Sequence, residues 1–317
     1  MKFNESTLKA YAAPLSDTED LKCKRAIEAI RDALKDLGYT DDQKPIVPME
    51  PDTLAYSVAM RNKAGSEKVT VFIQGSYANN TCVRGESDVD IAVVHESNFE
   101  YAFGEKFSDS TTNKRTEAVA FKNAVERTLK KCFPGYVQRK NKSIKVDGNT
   151  YRKQADVVPC LSMHYFYRFH LKDYFSFLDG VVIYADDGSV IRNFPKQHIA
   201  NGRAKNVRTD HYYKKMVRII KKMRYIMSNC GYTSANDVSS FGLESLLWNV
   251  PDSEFTKYRY YYCYGFKEIV DYIYEHKYML SVYKEANGIK PLCPQQEDVD
   301  KYSKFINDLY VFFQYEL

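Results

Sequence analysis

The stretch Val69–Val94, VTVFIQGSYANNTCVRGESDVDIAVV, decides the fold. An apolar, β-branched run from Val69 to Ile73 breaks at Gly75-Ser76, a polar connector follows, and Asp88-Val89-Asp90 opens a second apolar run. Short aliphatic runs bounded by turn residues read as strands, so the stretch predicts strand, tight turn, connector, strand. Side chains alternate between the faces of a strand. Asp88 and Asp90 therefore share one face while Val89 and Ile91 enter the core. Two neighbouring carboxylates repel, and a divalent cation between them relieves that repulsion. Gly75 permits close approach of the backbone to a phosphate, and Ser76 adds an N–H and a hydroxyl.

Composition bounds the answer. At 317 residues the chain has the length of about two domains, with 44% hydrophobic and 27% charged residues, as in ordinary soluble proteins. The net charge of +5 suits a local anion-binding patch and does not by itself define a nucleic-acid protein. Seven scattered cysteines without a Cys-x-x-Cys pair argue for a reducing compartment, against a disulfide framework and against a structural zinc site. The N-terminus MKFNESTLKAYAAPLSD lacks the apolar segment of a signal peptide, and no run is long enough to span a bilayer. A cytoplasmic protein with no membrane partner is expected.

Along the chain, Leu21, Ile27, Ile30, Leu34 and Leu37 predict a helix over about Asp17 to Leu37, with Ser16 or Asp17 as cap and Gly38 as stop. A second helix is expected from Asp52 to Lys63, then a polar loop from Ser97 to Asp109 and a helix from about Thr111 to Lys131. Two short strands, Tyr136 to Arg139 and Ser143 to Val146, turn at Asp147-Gly148-Asn149 into a strand carrying Asp156, which lays that residue beside the Asp88/Asp90 strand. A further hairpin turns at Asp186-Asp187-Gly188-Ser189, where Asp and Gly are read as turn chemistry rather than a metal site.

From Phe194 the texture changes to helices. FPKQHIANGRAKN reads as a proline-bounded polar segment, and a basic helix from about Thr209 carries Lys214, Lys215, Arg218, Lys221, Lys222 and Arg224 beside an apolar stripe that includes Val217 and Ile220. Another helix starts near Ser239-Ser240-Phe241. The tyrosine-dense run Tyr258–Phe266 suits either base stacking or packing in a helical bundle. A last helix is expected from about Gln296 to Tyr315. There is no His-Glu-x-x-His, no Gly-x-Ser-x-Gly elbow and no GxxxxGK[ST] loop, so zinc hydrolase, serine hydrolase and P-loop chemistry lack their residues.

A strand ending in Gly-Ser, about a dozen residues, then Asp-x-Asp opening the next strand resembles the polymerase-β-type nucleotidyltransferases. The resemblance implies a third carboxylate on a later strand, and Asp156 in YRKQADVVP supplies it. The pairing of VRIIK with SSFGLESLL is similar to the corresponding helices of oligoadenylate synthase and of the cGAS/DncV-like nucleotidyltransferases, over about Val69 to Val250. That family implies an α+β fold: a nucleotidyltransferase lobe with a small mixed β-sheet, residues 1–194 including the N-terminal spine helix, then a helical C-terminal lobe, residues 195–317, with the active site in the cleft between.

It further implies Asp88, Asp90 and Asp156 as catalytic carboxylates holding two Mg²⁺ ions, for which Mn²⁺ can substitute. Gln74, Gly75, Ser76, Arg218, Lys221 and Ser240 are then expected to bind the nucleotide, with Phe241 stacking on the base. The implied partners are nucleoside triphosphates such as ATP or GTP, a regulatory protein or nucleic-acid ligand, and an effector reached through a cyclic di- or trinucleotide messenger in anti-phage defence. A nucleotidyltransferase with an RNA, protein or small-molecule acceptor, and a catalytically silent nucleic-acid-binding protein, are the alternatives. The chain lacks the His/Cys cluster of the animal enzyme's zinc insertion, which argues against direct sensing of double-stranded DNA.

Overall fold

The two apolar runs of the opening stretch pair antiparallel, as Lys68–Gln74 and Val89–Phe103, at the middle of a mixed sheet with eleven strands among the described residues. The structure is a computed structural model; it describes residues 2–42, 46–49, 53–86, 88–103, 106–107, 111–166 and 177–315. The sheet runs in the order Val190–Asn193, Leu178–Tyr184, Ala155–Phe166, Val89–Phe103, Lys68–Gln74, Tyr56–Asn62, Tyr39–Asp41, with the hairpin Val137–Arg139/Ile144–Val146 joined to Ala155–Phe166. It belongs to a unit formed by Ser16–Ala78 and Asp88–Lys196.

Period-2 alternation splits this sheet into two different faces. Val69, Val71, Ile73, Val89, Ile91, Val93 and Val157 are buried on one, beneath the helices Asp17–Leu34 and Thr111–Cys132, which contribute Ile27, Ile30, Leu34, Val125 and Leu129. Burying each such side chain is worth roughly 1.5–3 kcal/mol. The opposite face carries a smaller apolar cluster of Phe72, Ala92, Val94, Val158, Cys160, Val181 and Ile183. The spine helix begins as its sequence predicts: Ser16 accepts a hydrogen bond from the Glu19 N–H, and Glu19 reaches back to the Ser16 N–H. It ends in a short 3₁₀ turn at Lys35–Leu37 and a left-handed Gly38.

Two expectations in this unit are corrected. Tyr56–Asn62 is a strand rather than part of a helix, because Val58 and Met60 bury on alternate positions and a turn at Gly65 returns the chain into Lys68–Gln74; residues 50–52 lie outside the described residues. The expected loop Ser97–Asp109 largely continues the sheet, through Phe103 and again at Lys106–Phe107, with residues 104–105 and 108–109 outside the described residues.

The second unit comprises Met1–Leu15, Asn79–Ser87 and Gln197–Leu317. Its core is built from Met216, Ile219, Ile220 and Met223 of the helix Tyr213–Asn229, Leu243, Leu246 and Leu247 of Ser240–Trp248, Phe266 and Ile269 of Tyr262–Glu275, and Phe305 and Leu309 of Gln296–Phe312. The polar segment after Phe194 is itself a helix, Pro195–Arg208, with proline at its first position, where the missing N–H has no intrahelical partner to lose. No described helix is long and apolar enough to cross a membrane.

Candidate active site

Strand register brings the predicted carboxylates together. Asp156, on Ala155–Phe166, is the Cα partner of Asp90 across a parallel pairing, Asp90 is the partner of Gln74 across an antiparallel one, and Asp156 is the partner of Lys145. Lys145, Asp156, Asp90 and Gln74 thus form one rung across four strands, and side chains on a rung share a face, with neighbouring strands about 4.7–4.9 Å apart. Asp88, two residues before Asp90 and exposed, lies on that same face, while Val89, Ile91 and Val157 fill the other side.

The electrostatics are those of crowded acids. Burial, and after it the negative charge of Asp88, raises the Asp156 carboxyl above its ordinary value; Lys140, Lys145 and a hydrogen bond from Ser143 pull the other way. Asp88 accepts a hydrogen bond from the Gln154 amide at 2.6 Å. Among the described residues no three His, Cys, Asp or Glu side chains close into a ready metal clasp. Asp88 is held by the Gln154 amide, while Oδ2 of Asp90 lies against Gly75. The donor set nevertheless fits a hard divalent cation, with carboxylate oxygens on one face and excess negative charge around them.

The Gly75-Ser76 turn borders this face. Lys68–Gln74 ends in the single helical turn Gly75–Ala78, with Gly75 at a left-handed φ of +69°. A Cβ at position 75 would lie 2.5 Å from Oδ2 of Asp90, so glycine is required both by its dihedral and by the closeness of the acid. Tyr77 fixes the turn from below: its ring is buried and its hydroxyl bonds to the backbone oxygen and carboxylate of Asp20 on the spine helix. Gln74 and Ser76 are half-buried beside the acids.

In the helical unit, Ser240 is the first residue of Ser240–Trp248, which is capped by Ser239 accepting from the Gly242 N–H at 2.9 Å. Arg224 extends to within 3.5 Å of the Ser240 hydroxyl and also donates to the Ala235 carbonyl at 2.8 Å. Phe241 is 38% exposed, its ring edge-on to His198.

Two expected phosphate ligands are placed differently. Lys221 is 2% exposed, donating to Oε2 of Glu244 at 2.8 Å and to the Thr81 hydroxyl at 3.1 Å, while Oε1 of Glu244 meets His198 at 2.9 Å. Arg218 is 5% exposed and donates to the carbonyls of Ala12 and Asn80, and burial pushes its guanidinium down to about 10. The basic helix is central to its unit, and Lys214, Arg218 and Lys221 are buried in it. Charge spacing along one helix could not reveal this. Sequence reasoning singled out neither Gln154, which meets Asp88, nor Arg224, which meets Ser240. Gln154 stands two before Asp156, a same-face spacing that could have drawn notice; nothing in the sequence singles out Arg224 from its basic neighbours.

Residues 56–177, which carry the acid rung and the glycine-serine turn on the mixed sheet, match the family described as nucleotidyltransferase domain. Residues 200–314 match the cGAS/DncV-like nucleotidyltransferase C-terminal helical domain. A cyclic GMP-AMP synthase, CdnE03, of Staphylococcus schleiferi is 40% identical over 325 residues, covering 99% of this chain and 98% of the relative. A cyclic dipurine nucleotide synthase of Elizabethkingia meningoseptica is 35% identical over 297 residues, covering 91% and 90%. The structure of Elizabethkingia meningoseptica CdnE cyclic dinucleotide synthase with GTP and Apcpp superposes with a TM-score of 0.73 at 31% identity, over 98% of this chain and all of that one. The chain belongs to the cGAS/DncV-like nucleotidyltransferases.

Proposed function

We propose that this protein joins two or three nucleoside triphosphates into a cyclic oligonucleotide, releasing one pyrophosphate at each phosphodiester bond, with ATP and GTP as the first substrates to test. The observation that carries the proposal is the rung of Asp90 and Asp156 in register beside the Gly75-Ser76 turn.

In each step a ribose hydroxyl attacks an α-phosphorus, and negative charge grows on the phosphoryl oxygens and on the departing pyrophosphate. Asp88, Asp90 and Asp156 would hold Mg²⁺, which when bound offsets that charge and lowers the pKa of the attacking hydroxyl. Asp156, in register with Asp90, would also orient the attacking hydroxyl and accept its proton on its carboxylate. Ser76 and the backbone of the Gly75 turn would take phosphate oxygens, Gln74 would border them, and Ser240 with Arg224 would take the end of the triphosphate. Phe241, partly exposed, would stack on a base. Lys221 and Arg218, buried and paired within the helical unit, would add positive charge behind the triphosphate.

The catalytic acids and the nucleotide-gripping helices would divide near Phe194. In the cell the product would act as a cytoplasmic second messenger that switches on an effector in anti-phage signalling, with synthesis itself open to control by a protein or nucleic-acid ligand.

Incubation of the purified protein with α-labelled ATP and GTP and Mg²⁺ tests the reaction. A phosphatase-resistant product formed without added acceptor supports cyclisation. A product that appears only when RNA, protein or a small acceptor is supplied assigns the same site to a different transfer.

A further inference from the structure

We propose that Gln154 is a positioning residue for the acid site: its side-chain amide holds one oxygen of Asp88 and leaves the other to bind the divalent cation. The proposal rests on the cation-dependent reaction proposed above.

Three observations carry it. Gln154 is joined to the start of the Asp88/Asp90 strand twice, its carbonyl accepting from the Val89 N–H at 3.1 Å and its Nε2 donating to Oδ2 of Asp88 at 2.6 Å. The backbone bond fixes where the side chain starts, so the amide reaches Asp88 without a search. Second, Asp88 precedes Val89, the first residue of its strand, and so lacks the neighbouring ladder that fixes Asp90 and Asp156. A carboxylate at such a position needs an outside partner to hold one orientation, and ligating carboxylates are commonly oriented by a hydrogen bond of this kind.

Third, the donor is uncharged. Lysine or arginine in its place would neutralise Asp88 with an ion pair that a cation must break. An amide fixes the carboxylate and keeps its charge, leaving the full attraction for Mg²⁺. Gln154 is only half-buried, and the contact its amide makes is with the Asp88 carboxylate.

Mn²⁺ binding to the full-length protein, followed by electron paramagnetic resonance without nucleotide, tests the proposal. Gln154→Met removes the donor at nearly constant size, and Gln154→Ser shortens it out of reach. Both are expected to weaken Mn²⁺ binding by about 10- to 100-fold with unchanged thermal unfolding, and nucleotide turnover by both is expected to recover as Mg²⁺ is raised. Unchanged or tighter Mn²⁺ binding in both variants overturns the proposal. Asp90→Asn separates this result from the reading beneath it: Mn²⁺ binding that survives Asp90→Asn overturns the acid-face assignment and the role of Gln154 together. Binding lost in Asp90→Asn but unaltered in the Gln154 variants overturns only the latter.

Discussion

Asp90 and Asp156 are Cα partners across the single parallel pairing of the large sheet among the described residues. Their proximity is enforced from the other side of the sheet. Val89, Ile91, Ala155 and Val157 are buried around them, and a slip of one residue would drive Asp156 into the core and expose Val157. Hydrophobic burial thus fixes where two repelling charges stand. The connection that a parallel pairing demands includes the helix Thr111–Cys132, which covers the apolar face.

Gly75 gives the sharpest steric prediction. A methyl group there meets Oδ2 of Asp90 at 2.5 Å and sits on a backbone held at a φ of +69°. Gly75→Ala should cost about 1–2 kcal/mol for the left-handed dihedral and displace the Asp90 carboxylate. Turnover should fall far more than stability does, read by pyrophosphate release beside a thermal melt. Wild-type turnover in Gly75→Ala would place the reacting phosphate elsewhere.

Lys221 and Glu244 give a stability prediction instead. Lys221→Met takes the lysine from a buried carboxylate and should destabilise the protein by about 3–5 kcal/mol, measured by denaturant unfolding. Burial alone would raise the Glu244 carboxyl, but Lys221 and His198 outweigh it and hold the group well below its ordinary 4.5. A depressed carboxylate contributes stability that is present above its unfolded pKa and is lost as pH falls below it. The wild type should therefore lose stability on acidification below 4.5, and Lys221→Met should show a shallower slope there. Should Lys221→Met melt like the wild type and yet raise the KM for nucleotide, Lys221 faces the ligand and its buried pairing is not the working state.

Ser240 and Arg224 are expected to act on binding. Hydrogen bonds to charged groups contribute about 1.5–3 kcal/mol, so Ser240→Ala and Arg224→Ala should each weaken nucleoside triphosphate binding by about 10- to 100-fold. Calorimetric titration with a non-hydrolysable triphosphate reads this directly. Unaltered affinity in both variants removes this end of the helical unit from the phosphate site.

The strand-turn-strand pattern, the spine helix with its Ser16 cap and Gly38 stop, and the same-face placement of Asp88 and Asp90 were legible because each follows from local periodicity and turn chemistry. The hairpin turning at Asp147-Gly148-Asn149 suggested that the Asp156 strand lies beside that of Asp90, but its register with Asp90 is a tertiary property that local pattern does not show. Tyr56–Asn62 was misread because a short run with two apolar positions fits either period until its sheet neighbour is known. The burial of Lys221 and Arg218 was not legible for a related reason. Helical spacing shows which side chains share a face, and only packing shows whether that face meets water, as the burial of Lys221 against Glu244 makes plain.

The central claim is that Asp90 and Asp156 drive nucleotide joining together, and labelled turnover by Asp90→Asn and Asp156→Asn tests it most directly. Loss of several kcal/mol of charge stabilisation corresponds to about 10³-fold or more in rate. The account predicts that the wild type converts α-labelled ATP and GTP into a phosphatase-resistant product with Mg²⁺, that each variant gives none above background, and that both variants unfold at or above the wild-type temperature. Product formed at the wild-type rate by either folded variant would contradict it.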